Sequence, residues 1–350
     1  MSKIINGKVW VKGDKYKAFI LGEDTETFGL NPTKIVPPSW QEFFIQLIGE
    51  MSLTKEEIFR EWNKLITWKP HENKCSFVAN PLVYCYYITG LVPTKYKGKC
   101  LKDKYTADPQ AYWERVCKMD RRKGRAPSVR DAYELNKAIT FFKPTTAKHL
   151  IWRLATHLPI QVEYPLLRTI LDPCAGWGGR VLGALSSDYN YIGYDTNANI
   201  SVMCSAMIQG IKDAGGVINT DADIRNRPMP TDADTFKSEI LVDNISLVLT
   251  SPPYANLEVY DGMKVFVDDD DYYKNFLIPM ISVCRHNLYC PVAINVSPKI
   301  YEDLTKRYGF PECDEKVDFL QQMGQNSGKK QDYVYVWRSF NNYFGEITTR

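Results

Sequence analysis

The chain has 350 residues, of which 44% are hydrophobic, and its formal net charge is +3. This length exceeds that of one typical domain, and the apolar content is enough to bury a sizeable core. The sequence contains no apolar run of about 18 residues, and residues 1–3 lead into no signal-peptide core, so we expect a soluble, intracellular protein without a membrane partner.

Cysteine and histidine are arranged without any metal-binding pattern. The nine Cys include no C-x-x-C pair, and the four His show no ligand spacing. We therefore expect free thiols in a reducing compartment and no metal.

The first 90 residues predict a small α+β region. Residues 8–11 and 18–21 alternate like the strands of a hairpin, whereas residues 40–48 and 55–66 have the periodicity of amphipathic helices. Thr54 and two glutamates in the first turn mark the start of the second helix. No pattern in this region indicates what it recognises.

A strongly basic segment follows at residues 91–130. It contains twelve basic and four acidic residues, a net charge of +8, so the rest of the chain carries −5. Tyrosine and tryptophan are interleaved with the basic side chains, which favours contact with phosphates and unstacked bases. A solvated charged loop is the alternative. The candidate nucleic-acid ligands are Lys118, Arg121, Arg122, Lys123, Arg125 and Arg130.

Residues 166–185 predict a strand, a glycine-rich turn and a helix, the layout of a nucleotide-binding crossover. Gly176, Gly178 and Gly179 can adopt positive φ and let a ligand approach the backbone. Asp172, at the end of the strand, is placed where its carboxylate could meet a cationic amine.

Acidic residues follow the next two predicted strands. Asp195 comes after the strand at 191–194, about 20 residues beyond the glycines, where a carboxylate typically binds ribose hydroxyls. A strand-like segment at 216–219 precedes Asp221 and Asp223, which suit an adenine amino group. Each acid alone is more often a helix cap, but their shared position after successive strands favours ligand binding.

The apolar strand predicted at 245–249 ends in the loop Thr250-Ser251-Pro252-Pro253-Tyr254. Two successive prolines fix φ and donate no N–H, so the carbonyls of this loop are held in place. Together with the Ser251 hydroxyl they offer acceptors for an amino group, and the Tyr254 ring offers a face on which a base can stack. Asn256 and Glu258 are candidates to read the rest of the base edge.

The remaining segments complete a sheet. Residues 271–284 predict a helix whose start is capped within 268–271. Residues 292–296 predict a core strand, and residues 317–320 and 333–337 alternate like a final hairpin.

These motifs resemble those of the amino-methyltransferases, S-adenosylmethionine-dependent enzymes that methylate exocyclic nitrogens of adenine or cytosine. Asp172, Pro173, Gly176 and Gly178 match the family's D-P-x-x-G-x-G cofactor loop, and residues 251–254 match its [DNS]-P-P-[YFW] catalytic loop. Residues 142–148 are similar to the family's H-P-T-Q-K-P segment, with Phe-Lys in place of the usual His. The motif order is the unpermuted one.

The resemblance implies a Rossmann-like class I methyltransferase, an α/β fold with a mainly parallel seven-stranded sheet and an antiparallel C-terminal hairpin. The catalytic domain would span 136–350 and an N-terminal α+β accessory region 1–135. The implied cofactor is S-adenosylmethionine, held by Thr145, Asp172, Cys174, Gly176, Gly178, Gly179, Asp195, Asp221 and Asp223. The implied catalytic residues are Ser251, Pro252, Pro253 and Tyr254.

Within the family that the chain resembles, the T-S-P-P-Y form of the catalytic loop implies cytosine N4 over adenine N6 as the target. The resemblance also implies DNA, ahead of RNA, as the substrate. Two alternatives stay open: methyl transfer to RNA or to a protein glutamine, and a nucleic-acid-binding module that keeps the fold without turnover. A ring-carbon methyltransferase is disfavoured because it needs a catalytic-loop cysteine where this chain has Pro253-Tyr254. Oligomeric state and any companion restriction nuclease are left undetermined.

Overall fold

The computed structural model describes residues 2–5, 8–11, 37–70, 76–122, 128–130, 133, 141–155, 168–240, 244–255, 258–259, 263–318 and 333–338. The chain divides into two compact units. One consists of residues 1–52 and 88–140, and the other of residues 53–87 and 141–350.

The secondary structure alternates between helices and strands over most of the second unit. The described helices are α1 (Trp40–Met51), α2 (Lys55–Thr67), α3 (Asn80–Leu91), α4 (Leu101–Ala107), α5 (Pro109–Arg122), α6 (Pro144–Ala155), α7 (Gly179–Leu185), α8 (Asn199–Asp213), α9 (Ala233–Glu239), α10 (Asp269–Tyr272), α11 (Ile278–Asn287) and α12 (Pro298–Glu302). The described strands are β1 (Ser2–Ile5), β2 (Lys8–Val11), β3 (Lys95–Tyr96), β4 (Thr169–Asp172), β5 (Asn190–Tyr194), β6 (Ala222–Arg225), β7 (Ile245–Thr250), β8 (Glu258–Val259), β9 (Val292–Val296), β10 (Glu315–Asp318) and β11 (Tyr333–Trp337).

A seven-stranded sheet in the order β10-β11-β9-β7-β4-β5-β6 organises the second unit. The five strands from β6 to β9 pair in parallel, and β11 runs antiparallel to both β9 and β10. The predicted sheet, mainly parallel with an antiparallel C-terminal hairpin, is therefore confirmed.

The strand order reverses direction between β4 and β7. From β4 the chain proceeds to β5 and β6 on one side, and β7 then pairs with the opposite side of β4. Open α/β sheets bind ligands outside the carboxyl ends of the strands at such a switch point. The loops that follow β4 and β7 are therefore the first place to look for a functional site.

The central strands are buried on both faces, which explains their continuous apolar sequences. Every residue of β4 and β9 is buried. One core cluster brings together Leu171, Val248 and Val292 from the sheet with Leu277 and Ile281 from the helical segment at 269–287. A π-helical turn, Tyr273–Leu277, connects α10 to α11, and a second one, Asp303–Arg307, continues α12.

Both predicted N-terminal helices are confirmed. Helix α1 starts with a capping box between Ser39 and Glu42, and α2 with one between Thr54 and Glu57. In the first unit β2 is a hairpin strand, but its partner is β1. The predicted partner at 18–21 lies outside the described residues. The capping expected ahead of α10 is also confirmed, because Asp268 accepts a hydrogen bond from the backbone of Asp271 at 2.8 Å.

The strand predicted at 216–219 is wrong, since β6 begins six residues later, at Ala222. Gly215 has a φ of +88°, and its N–H bonds back to Lys212 at 2.9 Å, so a glycine cap ends α8 here. Val217 then lies in a loop, and this residue is 66% exposed. The loop passes beside α2, where the Val217 carbonyl accepts a hydrogen bond from Trp62 Nε1 at 3.0 Å.

Residues 53–87 group with the sheet-containing unit, although the predicted boundary falls between 135 and 136. The hydroxyl of Tyr86 occupies the space beside Gly210 of α8, where an added Cβ would lie 1.7 Å from it. Lys148 of α6 donates to the carbonyls of Leu65 and Ile66 at 2.7 and 2.8 Å, at the end of α2. These tertiary contacts join α2 and the first part of α3 to the C-terminal sequence.

Among the residues that the structure describes, no helix is both long enough and apolar enough to span a membrane.

Lys148 provides a prediction for the pH dependence of stability. Burial lowers the pKa of its ammonium group from 10.5 to about 8. Between these values the unfolded chain binds more protons than the folded one, so the free energy of unfolding should rise with pH across this window. Urea unfolding at several pH values should show wild type gaining stability relative to Lys148→Met above about pH 8. The same substitution at exposed Lys212 controls for loss of one charge. Parallel profiles for wild type and Lys148→Met would contradict the assignment.

Candidate active site

The glycine-rich loop and the Pro-Pro loop lie side by side. Their parent strands β4 and β7 are neighbours, with Leu171 opposite Val248. The backbone N–H of Cys174 donates to the Thr250 hydroxyl at 3.2 Å, and Thr250 is fully buried. Two segments about 75 residues apart in sequence thus form one continuous edge at the switch point of the sheet.

The glycines of the first loop have two different functions. Gly176 and Gly178 have φ values of +57° and +77°, a region that side-chain-bearing residues rarely adopt. Gly179 instead permits a close approach, because an added Cβ would lie 1.7 Å from the carbonyl oxygen of Phe142. The start of α7 therefore packs directly on the segment that precedes α6.

Asp172 is fully buried, and its carboxylate is held by groups of the protein. It accepts hydrogen bonds from Arg180 Nε at 2.5 Å, from the Tyr191 hydroxyl at 2.6 Å and from the Cys174 N–H at 3.1 Å. Arg180 also bonds the Cys174 carbonyl. The cationic partner of Asp172 in the structure is therefore Arg180. Together they fix the backbone of the glycine-rich loop through hydrogen bonds to the N–H and the carbonyl of Cys174.

Asp195 stands at the carboxyl end of β5, next to the glycine-rich loop. Its two oxygens accept from the N–H groups of Gly176 and Asn197, each at 2.9 Å. Burial raises the pKa of this carboxyl group, while the two backbone hydrogen bonds oppose the rise. Each oxygen keeps a second acceptor site, so a half-buried carboxylate is positioned for hydroxyl donors.

Thr145 and Cys174 have protein partners as well. The buried Thr145 hydroxyl donates to the Ser76 carbonyl at 2.8 Å and accepts from the Ser76 N–H at 3.1 Å. The Cys174 sulfur lies 4.0 Å from that of Met280, and burial raises the pKa of the thiol. Thr145 thus anchors α6 to Ser76, and Cys174 contributes its backbone to the loop.

Asp221 does not lie where its predicted role requires. Because β6 starts at Ala222, Asp221 is at the amino end of the strand, where its carbonyl accepts from Tyr191 N–H at 2.9 Å. Asp223 is within the strand, with its side chain exposed and paired to Arg225 at 2.8 Å. The carboxyl end of β6 instead presents Asn226, whose amide donates to Ser201 at 2.8 Å. Asn226 can be predicted at the carboxyl end of β6 only if the strand is placed at Ala222–Arg225.

The Pro-Pro loop is held from both sides. The Pro253 carbonyl accepts from the Ala255 N–H at 3.0 Å and from the Tyr272 hydroxyl at 2.9 Å. Ala255 has a φ of +44°, a strained value for a residue with a Cβ. Pro252 is buried, whereas Ser251 and Tyr254 are half-buried. The loop is thus fixed in an unusual conformation with two polar side chains at its surface.

Asn295 is a buried polar residue beside the Pro-Pro loop that the sequence motifs do not include. It is 3% exposed within β9, and its side chain contacts both Ser251 and the Tyr333 backbone. The available signal was the polar residue in the middle of the apolar run Val292–Val296, since buried amides require specific partners.

The structure describes little of the predicted nucleic-acid ligands. The backbone of Lys118, Arg121 and Arg122 belongs to α5, but their side chains lie outside the described part of the chain, as do Lys123 and Arg125. Arg130 donates its backbone N–H to Glu50 at 2.9 Å. Asn256 and the Glu258 side chain also lie outside the described residues. Within the described ranges, no group of three or more His, Cys, Asp or Glu side chains could hold a metal ion.

The strand order, the antiparallel β11 between β9 and β10, and the loops at the switch point define a Rossmann-like class I methyltransferase fold. Enzymes with this fold use S-adenosylmethionine as methyl donor.

The chain is similar, at low sequence identity, to a number of solved structures of methyltransferases, and three of them serve as examples. One, a human methyltransferase 10 domain-containing protein, is 12% identical with a TM-score of 0.37, over 67% of this chain and all of that one. The METTL16 methyltransferase domain, in a delta-N form, is 14% identical with a TM-score of 0.38, over 67% and 98%. An rRNA methylase from Streptococcus thermophilus is 9% identical with a TM-score of 0.31, over 49% and 87%. No protein-family model and no curated protein matches the sequence.

Gly179 provides a test of the close approach between α7 and residues 142–143. The atoms within 3 Å of an added Cβ are the backbone carbonyl atoms of Phe142, which cannot rotate away. We expect Gly179→Ala to lower the free energy of unfolding by about 3 kcal/mol. At Gly309 nothing lies within 4 Å and only the positive φ of +66° opposes a side chain, so Gly309→Ala should cost about 1 kcal/mol. Equal losses in chemical denaturation would count against the packing argument.

Proposed function

We propose that this chain is an S-adenosylmethionine-dependent methyltransferase that acts on an exocyclic amino group of a nucleobase in nucleic acid. The observation that carries the proposal is the hydrogen bond between Cys174 and Thr250, which joins the glycine-rich loop to the Pro-Pro loop. A cofactor held at the first loop would therefore lie beside a substrate held at the second.

The residues around the first loop fit the cofactor. Gly176, after the carboxyl end of β4, has a positive φ that its lack of a Cβ permits, and its N–H lies 2.9 Å from the Asp195 carboxylate. Gly178 instead makes room for the Tyr87 ring, whose nearest atom lies 2.5 Å from where a Cβ would be. Asp195, at the end of β5, would accept the ribose hydroxyls, and Asn226, at the end of β6, would face the adenine. When bound, S-adenosylmethionine supplies an electrophilic methyl group.

At the second loop the chain supplies hydrogen-bond acceptors for an amino group. The Pro253 carbonyl is already engaged by Ala255 and Tyr272, so we assign acceptance to Ser251 Oγ and the Pro252 carbonyl. An exocyclic amine is a weak nucleophile because its lone pair is delocalised into the ring. Acceptance of both hydrogens would favour a tetrahedral nitrogen and localise that lone pair. Orientation and fixed acceptors are then the main contributions of the protein.

The Tyr254 ring would stack on the base. This side chain is half-buried at the surface of a loop whose backbone is fixed by Pro252 and Pro253. If the substrate is a duplex, the target base must leave the helix at a cost of a few kcal/mol, and stacking offsets part of that cost.

The basic segment at residues 91–130 would contact the phosphate backbone. Its net charge of +8 in a chain of only +3 favours a polyanionic substrate over a protein glutamine. The T-S-P-P-Y sequence favours cytosine N4 in DNA through its resemblance to the amino-methyltransferases. Transfer to RNA is the competing outcome.

One experiment tests this function directly. The purified chain is incubated with S-adenosylmethionine labelled in the methyl group and with separate DNA and RNA pools, and the nucleosides are then analysed by mass spectrometry. We expect label in N4-methylcytosine from DNA. Label in N6-methyladenine would change the target base, and label in RNA alone would change the substrate. Label in neither pool would contradict the proposed function.

Tyr254→Ala should slow methyl transfer by about a hundredfold in single-turnover assays, because a stacked base loses 1–3 kcal/mol of binding. Affinity for S-adenosylmethionine, measured by calorimetry, should change little. Tyr254→Phe keeps the ring and should stay near the wild-type rate. An equal loss of rate and cofactor affinity in Tyr254→Ala would refute the stacking role.

Asp195→Ala should have the opposite effect. It removes the carboxylate that would accept the ribose hydroxyls, so the dissociation constant for S-adenosylmethionine should rise by about tenfold or more. Asp223→Ala is the matched control, since its carboxylate is exposed and bonds to Arg225. Calorimetric titration of both variants measures the difference. A wild-type constant for Asp195→Ala would exclude it from the cofactor site.

A further inference from the structure

The hydrogen-bond direction at Ser251 is determined by groups on the neighbouring strands. The Asn295 side chain lies between the Tyr333 carbonyl at 3.0 Å and the Ser251 hydroxyl at 3.1 Å. A carbonyl oxygen can only accept, so the end of the amide that faces Tyr333 must be the NH₂ group. The other end, which faces Ser251, is then the amide oxygen.

This arrangement leaves the Ser251 hydroxyl one choice. The Asn295 amide oxygen can only accept, so the single hydroxyl hydrogen of Ser251 is donated to it. What Ser251 Oγ retains for a ligand is lone-pair density and no hydrogen. An amide oxygen is also far too weak a base to take up a proton, so Ser251 is not activated as a base.

The environment of Asn295 makes this direction difficult to reverse. Asn295 is 3% exposed and belongs to β9, which is paired with β7 on one side and β11 on the other. Rotation of the amide would place its oxygen against the Tyr333 carbonyl and its NH₂ group against Ser251. The NH₂ group could then donate to Ser251, but the Tyr333 carbonyl would lose this donor and two carbonyl oxygens would face each other, which costs about 1–3 kcal/mol.

We propose that Asn295 is a positioning residue that makes Ser251 an obligate hydrogen-bond acceptor and thereby restricts the site to bases that present an amino group. This inference rests on the proposed function. Cytosine and adenine carry an amino group where uracil and hypoxanthine carry a keto oxygen. A Ser251 hydroxyl that can only accept pairs with the amino form, whereas a freely rotating hydroxyl can also donate to the keto form.

The experiment measures the preference for amino over keto bases in binding, as well as the rate of methyl transfer. Two pairs of single-stranded oligonucleotides are used, one differing in a single cytosine or uracil and the other in a single adenine or hypoxanthine. Dissociation constants are measured by fluorescence anisotropy at raised salt, which reduces the contribution of phosphate contacts. Wild type should bind the amino member of its substrate pair more tightly, and Asn295→Leu should reduce that preference on the order of tenfold.

Two further variants separate positioning from a purely structural role. Asn295→Asp retains an acceptor for the Ser251 hydrogen, and burial favours the neutral carboxyl group, whose hydroxyl can donate to the Tyr333 carbonyl in place of the lost NH₂ group. It should therefore keep more of the amino preference than Asn295→Leu. Ser251→Ala removes the hydroxyl, and adding Asn295→Leu to it should cause no further loss of preference or of single-turnover rate. Thermal unfolding and S-adenosylmethionine affinity confirm that each variant is folded.

The outcomes distinguish this inference from the proposed function. Absence of methyl transfer by wild type to any amino group would overturn the proposed function. If wild type is active but Asn295→Leu keeps the full amino preference, or if the two substitutions act independently, the positioning role of Asn295 alone is overturned. If Asn295→Leu does not fold, the Asn295→Asp variant provides the test. A loss of amino preference in Asn295→Asp as large as that in Ser251→Ala would contradict the positioning role of Asn295.

Discussion

The buried carboxylate of Asp172 is the interaction on which the rest of the site depends. It has no exposed surface, and its three donors come from α7, from β5 and from the loop after β4. Removing one partner of such a buried pair leaves an uncompensated charge and costs about 3–5 kcal/mol. Because Arg180 also bonds the Cys174 carbonyl, the ion pair fixes the path of the glycine-rich loop. The loop can then hold its positive φ values at Gly176 and Gly178.

From this carboxylate a series of polar contacts crosses the carboxyl edge of the sheet. It connects five adjacent strands, β5, β4, β7, β9 and β11, through side chains and the loop backbone, while the strands themselves are packed by apolar groups. The members in spatial order are Tyr191, Asp172, Cys174, Thr250, Ser251, Asn295 and Tyr333. The candidate cofactor loop and the candidate substrate loop are thus parts of one hydrogen-bonded edge. A displacement of either loop would strain the hydrogen bond between Cys174 and Thr250 that joins them.

Much of the fold could be predicted because its signals are local. The apolar run at 292–296 coincides with β9, and residues 333–337 coincide with β11. The starts of α1 and α2 follow from side chains that bond a backbone group three residues away. The strand at 216–219 was mispredicted because Gly215 and Gly216 end α8 with hydrogen bonds to its last turn. The residues after them form a loop, in which Val217 contacts Trp62. The grouping of residues 53–87 with the sheet-containing unit depends on tertiary contacts such as Tyr86 beside Gly210, which have no local signal in the sequence.

The sequence by itself determined the chemistry available in each loop: glycines able to take positive φ, two prolines that fix a backbone, and a serine and a tyrosine next to them. Local conformation depends on neighbouring residues, so these features can be read along the chain. Only the tertiary structure decided which groups meet. Tyr191 reaches Asp172 across 19 residues, and Asn295 reaches Ser251 across 44. Such pairings depend on strand order and register, because a polar group buried between strands must find its partner on whichever strand lies beside it.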